Sequence, residues 1–184
     1  MKRSNRISLL LSGAALAALV GLPVAAPAAT SSKVLLSCQK ALEKNAQSLG
    51  TYAIGKVTSC TERVARCKLA AEIDAEDLPS CLATTAATCG GTPTKVSDQQ
   101  TSRRDKTLVK CGLVPLADLE PFVGGLGFFN VVGACGAATA NDLVSCVLAD
   151  ARCNAERTVF RFDPRSQDSL TTAGVAGSFP CVAP

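Results

Sequence analysis

Ten cysteines and no histidine in 184 residues constrain this chain more than any other feature. The cysteines are Cys38, Cys60, Cys67, Cys81, Cys89, Cys111, Cys135, Cys146, Cys153 and Cys181, separated by 21, 6, 13, 7, 21, 23, 10, 6 and 27 residues. No Cys-x-x-Cys occurs, so the spacing excludes the thioredoxin-type redox motif, c-type haem attachment and the usual zinc-ribbon and ferredoxin ligand sets. The one thiolate-metal reading left is a cysteine-only zinc site built from CTERVARC (60–67) and CVLADARC (146–153), and it requires reduced thiols.

The N-terminus argues against reduced thiols. Lys2, Arg3 and Arg6 precede an apolar stretch from Ile7 to about Val20, and small residues follow up to Ala28. That is the three-part pattern of a secretory signal, with the cut expected after Ala28. Residues 1–28 are therefore read as a cleaved signal peptide and 29–184 as a single cysteine-rich helical domain. The apolar stretch is short and rich in Ala and Gly, and no later segment reaches the roughly 18 apolar residues that a membrane span needs. The expected location is secreted or periplasmic, where an even number of cysteines forms disulfides, so all ten are assigned to bridges and none to a metal.

Without the signal, the 19 Lys and Arg against 15 Asp and Glu of the whole chain become 16 against 15. A nearly neutral protein offers no field for nucleic acid or an anionic membrane. The cluster Arg103, Arg104 and Lys106 is interrupted by Asp105 and reads as a solvated helix face.

The missing histidine removes Ser-His-Asp and Cys-His catalysis and the commonest general base near neutral pH. Ser37-Cys-Gln-Lys40 matches the Ser-x-x-Lys pattern of penicillin-binding enzymes, but the companion motifs are absent and the chain is small for that fold. The acidic run from Glu72 to Asp77 lacks the alternation and glycine of a calcium loop and reads as a solvated connection. No catalytic site and no cofactor are expected.

Hydrophobic periodicity is helical throughout. Leu35, Cys38, Leu42, Ala46, Leu49, Ala53, Cys60, Val64 and Cys67 recur at three- and four-residue steps with one seven-residue gap, which places three cysteines on one helix face. Gly50 and Gly55 are expected to kink or split this helix. Asp77 and Pro79 start a second helix that Gly90-Gly91 stops, and a polar third covers Ser97 to Lys110. A fourth begins at Asn141 or Asp142 with Leu143, Val147, Ala151, Ala155 and Val159 as its stripe. Asp163-Pro164 introduces a short fifth that ends near Gly174. The fold class is mainly α: a disulfide-stapled bundle of four or five helices.

Between the third and fourth helices lies LVPLADLEPFVGGLGFFNVVGAC (113–135), the one stretch that is apolar, aromatic and Gly-rich together. Its glycines follow no strand and precede no Lys-Ser/Thr, so a phosphate loop is not indicated. Its aromatic residues plug the core, or else Phe122, Leu126, Phe128 and Phe129 line a ligand pocket within Phe122 to Val132.

CQKALEKNAQSLGTYAIGKVTSC (38–60) and CVLADARCNAERTVFRFDPRSQDSL (146–170) resemble segments of uncharacterised cysteine-rich proteins exported by environmental Gram-negative bacteria. The resemblance covers about half of the mature chain and implies an exported helical module with no activity attached. The expected function is a structural or interaction module of the cell envelope or extracellular medium. The alternative is a carrier of a small apolar ligand. The candidate partners are accordingly an envelope protein or such a ligand.

The matching Cys-x6-Cys spacings suggest a pairing. Seven residues make nearly two turns, so each segment presents two thiols on one stripe, about 10.5 Å apart along the axis. A bridge within one segment is out of reach. Antiparallel packing of the two helices predicts Cys60 with Cys153 and Cys67 with Cys146, and parallel packing exchanges the partners.

Overall fold

The computed structural model describes residues 30–74, 77–121, 127–179 and 181; the expected signal peptide lies outside them. Among these residues the chain is a disulfide-stapled helical bundle without strands. Its axis is α1 (Ser32–Ile73), one helix of 42 residues and about 63 Å. Leu35, Cys38, Leu42, Leu49, Ala53, Cys60, Val64 and Cys67 are all buried along it, as the periodicity predicts, and Ala46 packs partly buried against the same core.

The expected break at Gly50 and Gly55 does not occur. Each glycine weakens the helix by about 0.5–1 kcal/mol relative to Ala, too little to interrupt a rod supported along its whole length by neighbours. Gly50 instead faces a neighbouring helix, where a Cβ would meet the Ala151 carbonyl oxygen at 3.8 Å and the Ala155 Cβ at 3.9 Å.

α2 (Leu78–Gly90) and α3 (Thr92–Cys111) return along α1 in the opposite direction, separated at Gly91. α2 begins at Asp77 with Pro79 in the first turn, as its sequence signals indicate. α3 starts five residues earlier than the polar pattern suggests, because Pro93 is tolerated in a first turn. Its direction is fixed by two contacts: Val96 clusters with Ala53, and Cys111 joins Cys38 near the start of α1. Inside this interface the Asn45 side-chain amide donates to Thr107 Oγ1 at 3.0 Å, and the Thr107 hydroxyl donates to the Arg103 carbonyl at 2.8 Å. Both buried polar side chains are thereby satisfied.

Two short helices, α4 (Leu116–Leu119) and α5 (Phe129–Cys135), lie in the connection at this end. The backbone amide of Thr30 donates to Asp118 Oδ2 at 3.0 Å, fixing the start of α1 against α4. Hydrogen bonding to Thr30 holds the Asp118 carboxyl below its ordinary value.

α6 (Ala140–Phe162) then runs parallel to α1. Its cap is Thr139, not Asn141 or Asp142: the Asp142 amide donates to Thr139 Oγ1 at 3.2 Å, while the Thr139 amide donates to Asp142 Oδ2 at 3.0 Å. This reciprocal capping box satisfies two otherwise orphaned donors. Leu143, Val144 and Leu148 share a core with Leu35 to Leu49, Ala155 meets Ala53 at a waist of small side chains, and Val159 reaches the far core. That far core holds Val57, Cys60 and Val64 together with Leu170 of α7 (Ser166–Thr172) and Val175 and Phe179 of the tail. α7 ends at Thr172 with Ala173 as its C-cap, followed by Gly174 at φ 69°, close to the expected stop.

Five disulfides join all ten cysteines: Cys38–Cys111, Cys60–Cys89, Cys67–Cys81, Cys135–Cys146 and Cys153–Cys181. The expected pairing of Cys60 and Cys67 with Cys146 and Cys153 is overturned. α6 is parallel to α1 and also displaced along it, so Cys153 sits near the level of Gly50 to Tyr52, about 12 Å short of Cys60. The partners of Cys60 and Cys67 come from α2, where Cys81 and Cys89 are likewise about two turns apart. The α1/α2 hairpin thus carries two staples, with Cα atoms 5.7 and 5.6 Å apart.

Candidate functional site

The aromatic stretch singled out from the sequence falls only partly on described residues. Phe122 and Leu126 lie outside the described residues. Phe128 is partly buried and packs with Val131 and Val132 against the core formed by the first half of α1 and α6; Phe129 opens α5. Phe128 thus packs at one end of the bundle.

The ten cysteines are structural in geometry. Thr85 Oγ1 lies 3.4 Å from Cys67 Sγ and Thr92 Oγ1 3.5 Å from Cys60 Sγ. A bridged sulfur has no proton, so the threonines are the donors. Among the described residues no group of three His, Cys, Asp or Glu is placed to hold a metal ion. Two members of the acidic run sit at helix ends, Asp74 at the C-cap of α1 and Asp77 at the N-cap of α2. Arg104 pairs with its neighbour Asp105 at 2.9 Å on an exposed face.

Two long grooves follow the second half of α1. One, between α1 and α2, has a volume of about 720 Å³ and places Arg63, Arg66, Glu62 and Asp77 around the Cys67–Cys81 bridge. Its two cations and two carboxylates balance, and Ser59, Ser80 and Thr84 also line it.

The other groove, about 760 Å³, lies between α1 and the junction of α6 with α7. It is built by a second stripe of α1: Ile54, Thr58, Ala65 and Leu69, which recur close to one face because 11 and 15 residues return to within about 20° and 60° of the starting direction. Val159 and Phe162 form the opposing wall. Here large apolar side chains stand in water: Leu69 is 55% and Phe162 86% exposed. Phe162 is left outside because α6 ends there, its last carbonyls capped by the Asp163 amide bonding back to Val159 at 2.8 Å. The Arg165 amide then bonds Asp163 Oδ1 at 3.1 Å and the chain turns into α7.

Around this apolar floor stand Glu62, Glu72, Asp163 and Asp168 against Lys68 and Arg165. None of the six forms an ion pair among the described residues. The periodicity of the first α1 stripe hid this surface, since its residues belong to a second apolar face on the same helix. The available signal was Ile54, Leu69 and Ile73, which lie off the stripe of buried cysteines.

No described helix is long and apolar enough to cross a membrane. Comparison with protein-family models, with curated proteins and with solved structures found no match.

Proposed function

We propose that this chain is an exported, non-catalytic interaction module of the cell envelope or extracellular medium, and that the groove between α1 and the α6/α7 junction is its working surface. The observation that carries this reading is a cross-linked frame that holds Leu69 and Phe162 in water. Apolar side chains of this size, grouped along a groove and rimmed by charge, mark contact surfaces in soluble proteins. Five disulfides in one small domain accord with an oxidising compartment. The signal-like N-terminus and the resemblance to exported cysteine-rich proteins support the same location.

The test is expression of the full chain in a Gram-negative host, followed by fractionation and native mass spectrometry before and after reduction. The expected species leaves the cytoplasm, begins near Ala29, and gains two hydrogens for each of five bridges on reduction. A full-length cytoplasmic protein with free thiols would overturn the reading. A retained apolar molecule would move the assignment to a carrier.

A further inference from the structure

α6 and α1 run side by side until Phe162, where α6 stops, while α1 continues to Ile73. Elsewhere α1 is flanked by helices laid along it, α3 and α6 over its first half and α2 over its second. Beyond the end of α6, the strip through Ala65 and Leu69 has α7 at its edge and water above it. The groove spans about 27 Å along α1 from Ile54 to Glu72, of which about 15 Å lies beyond Phe162; its large apolar side chains Ile54, Leu69 and Phe162 are exposed, whereas a small ligand is ordinarily enclosed on most sides.

Charge narrows the occupant. Four carboxylates, Glu62, Glu72, Asp163 and Asp168, face two cations, Lys68 and Arg165, giving the rim a net charge of −2. An occupant with an apolar stripe and basic flanks meets the floor and the rim together.

Resting on the interaction-module reading above, we infer that this groove receives a basic amphipathic helix from a partner protein. Apolar side chains at three- and four-residue spacing seat against Ile54, Leu69 and Phe162, and Lys or Arg on the helix flanks face the acidic rim. This is helix-in-groove recognition, in which apolar anchors supply affinity and rim charges supply orientation and selectivity.

The experiment uses the oxidised mature protein and two labelled 16-residue peptides with the same leucine stripe, one with lysine flanks and the other with glutamate. Fluorescence anisotropy is expected to show saturable binding of the lysine peptide and at least about tenfold weaker binding of the glutamate peptide, with the difference shrinking as salt rises. Leu69→Asp and Phe162→Ser alter exposed side chains and are expected to weaken the lysine peptide about tenfold or more with unchanged circular dichroism and Tm. Equal binding of both peptides, or undiminished binding to L69D, would overturn the inference. So would a concentration-dependent dimer abolished by L69D, which would make a second copy the occupant. Failure of the peptide to bind fully oxidised, exported protein removes this partner and leaves the export reading standing; free thiols in the cytoplasm remove both.

Discussion

Glu156 Oε1 accepts from Arg152 Nε at 2.7 Å one helical turn away on α6, and the glutamate is fully buried. Its other oxygen accepts from the Cys181 amide at 3.3 Å, while Arg152 Nη1 reaches Gln100 Oε1 of α3 at 3.5 Å. One carboxylate therefore ties α6 to the tail, and its arginine continues the link to α3.

Breaking this pair from one side is expected to cost more than removing it. Glu156→Ala leaves a guanidinium only 12% exposed without its counterion and takes the acceptor from the Cys181 amide. A loss of about 3–5 kcal/mol is expected, with a smaller loss for the double variant Arg152→Met, Glu156→Leu, whose apolar side chains replace both charges. Urea denaturation of the three proteins measures this. A double variant less stable than E156A would show that the charges stabilise the fold as a pair.

The bridges are expected to reduce in order of access. Cys38, Cys111, Cys60 and Cys89 are nearly sealed from solvent, whereas both sulfurs of Cys135–Cys146 and of Cys153–Cys181 belong to partly exposed residues. Thiolate attack requires contact with sulfur, so limited reductant opens the latter two first. Alkylation followed by peptide mapping should mark Cys135, Cys146, Cys153 and Cys181 before the others, and should find Cys60 linked to Cys89 in the untreated protein. Full reduction should lower Tm sharply, since each native bridge contributes about 2–4 kcal/mol by restricting the unfolded chain. Early labelling of Cys38 or Cys111, or an unchanged Tm, contradicts this order and this role.

Two glycines should respond oppositely to alanine. Gly55 is in the middle of α1, and a methyl group added there would meet nothing within 4 Å, so Gly55→Ala should stabilise the protein by about 0.5–1 kcal/mol. Gly174 has φ 69°, where a Cβ crowds the following carbonyl, and Gly174→Ala should destabilise by about 1–2 kcal/mol. Thermal melts of the two variants should therefore shift in opposite directions. Shifts of the same sign would contradict the conformations assigned to one of the two sites.

Local signals determined most of the helices. The stripe from Leu35 to Cys67, the Asp77 and Pro79 start of α2 and the Gly90-Gly91 stop are properties of neighbouring residues along the chain, and the fold keeps them. Boundaries moved where a cap depended on a side chain's partner, as at Thr139, or where Pro93 fitted a first turn. The cysteine pairing was not legible from spacing, because a seven-residue interval states which helix face a thiol occupies and says nothing of which helix lies opposite. Direction and register of the neighbour decide that, and α2 occupies the place opposite Cys60 and Cys67 while α6 is displaced along α1. The same is true of burial. Glu156 and Phe162 stand on one helix with the usual preferences of their types reversed, the acid sealed and the phenyl ring in water. The sequence alone determined a stapled helical chain; the end of α6 beside a longer α1 decided where its apolar surface stays open, because exposure depends on what packs across from a residue.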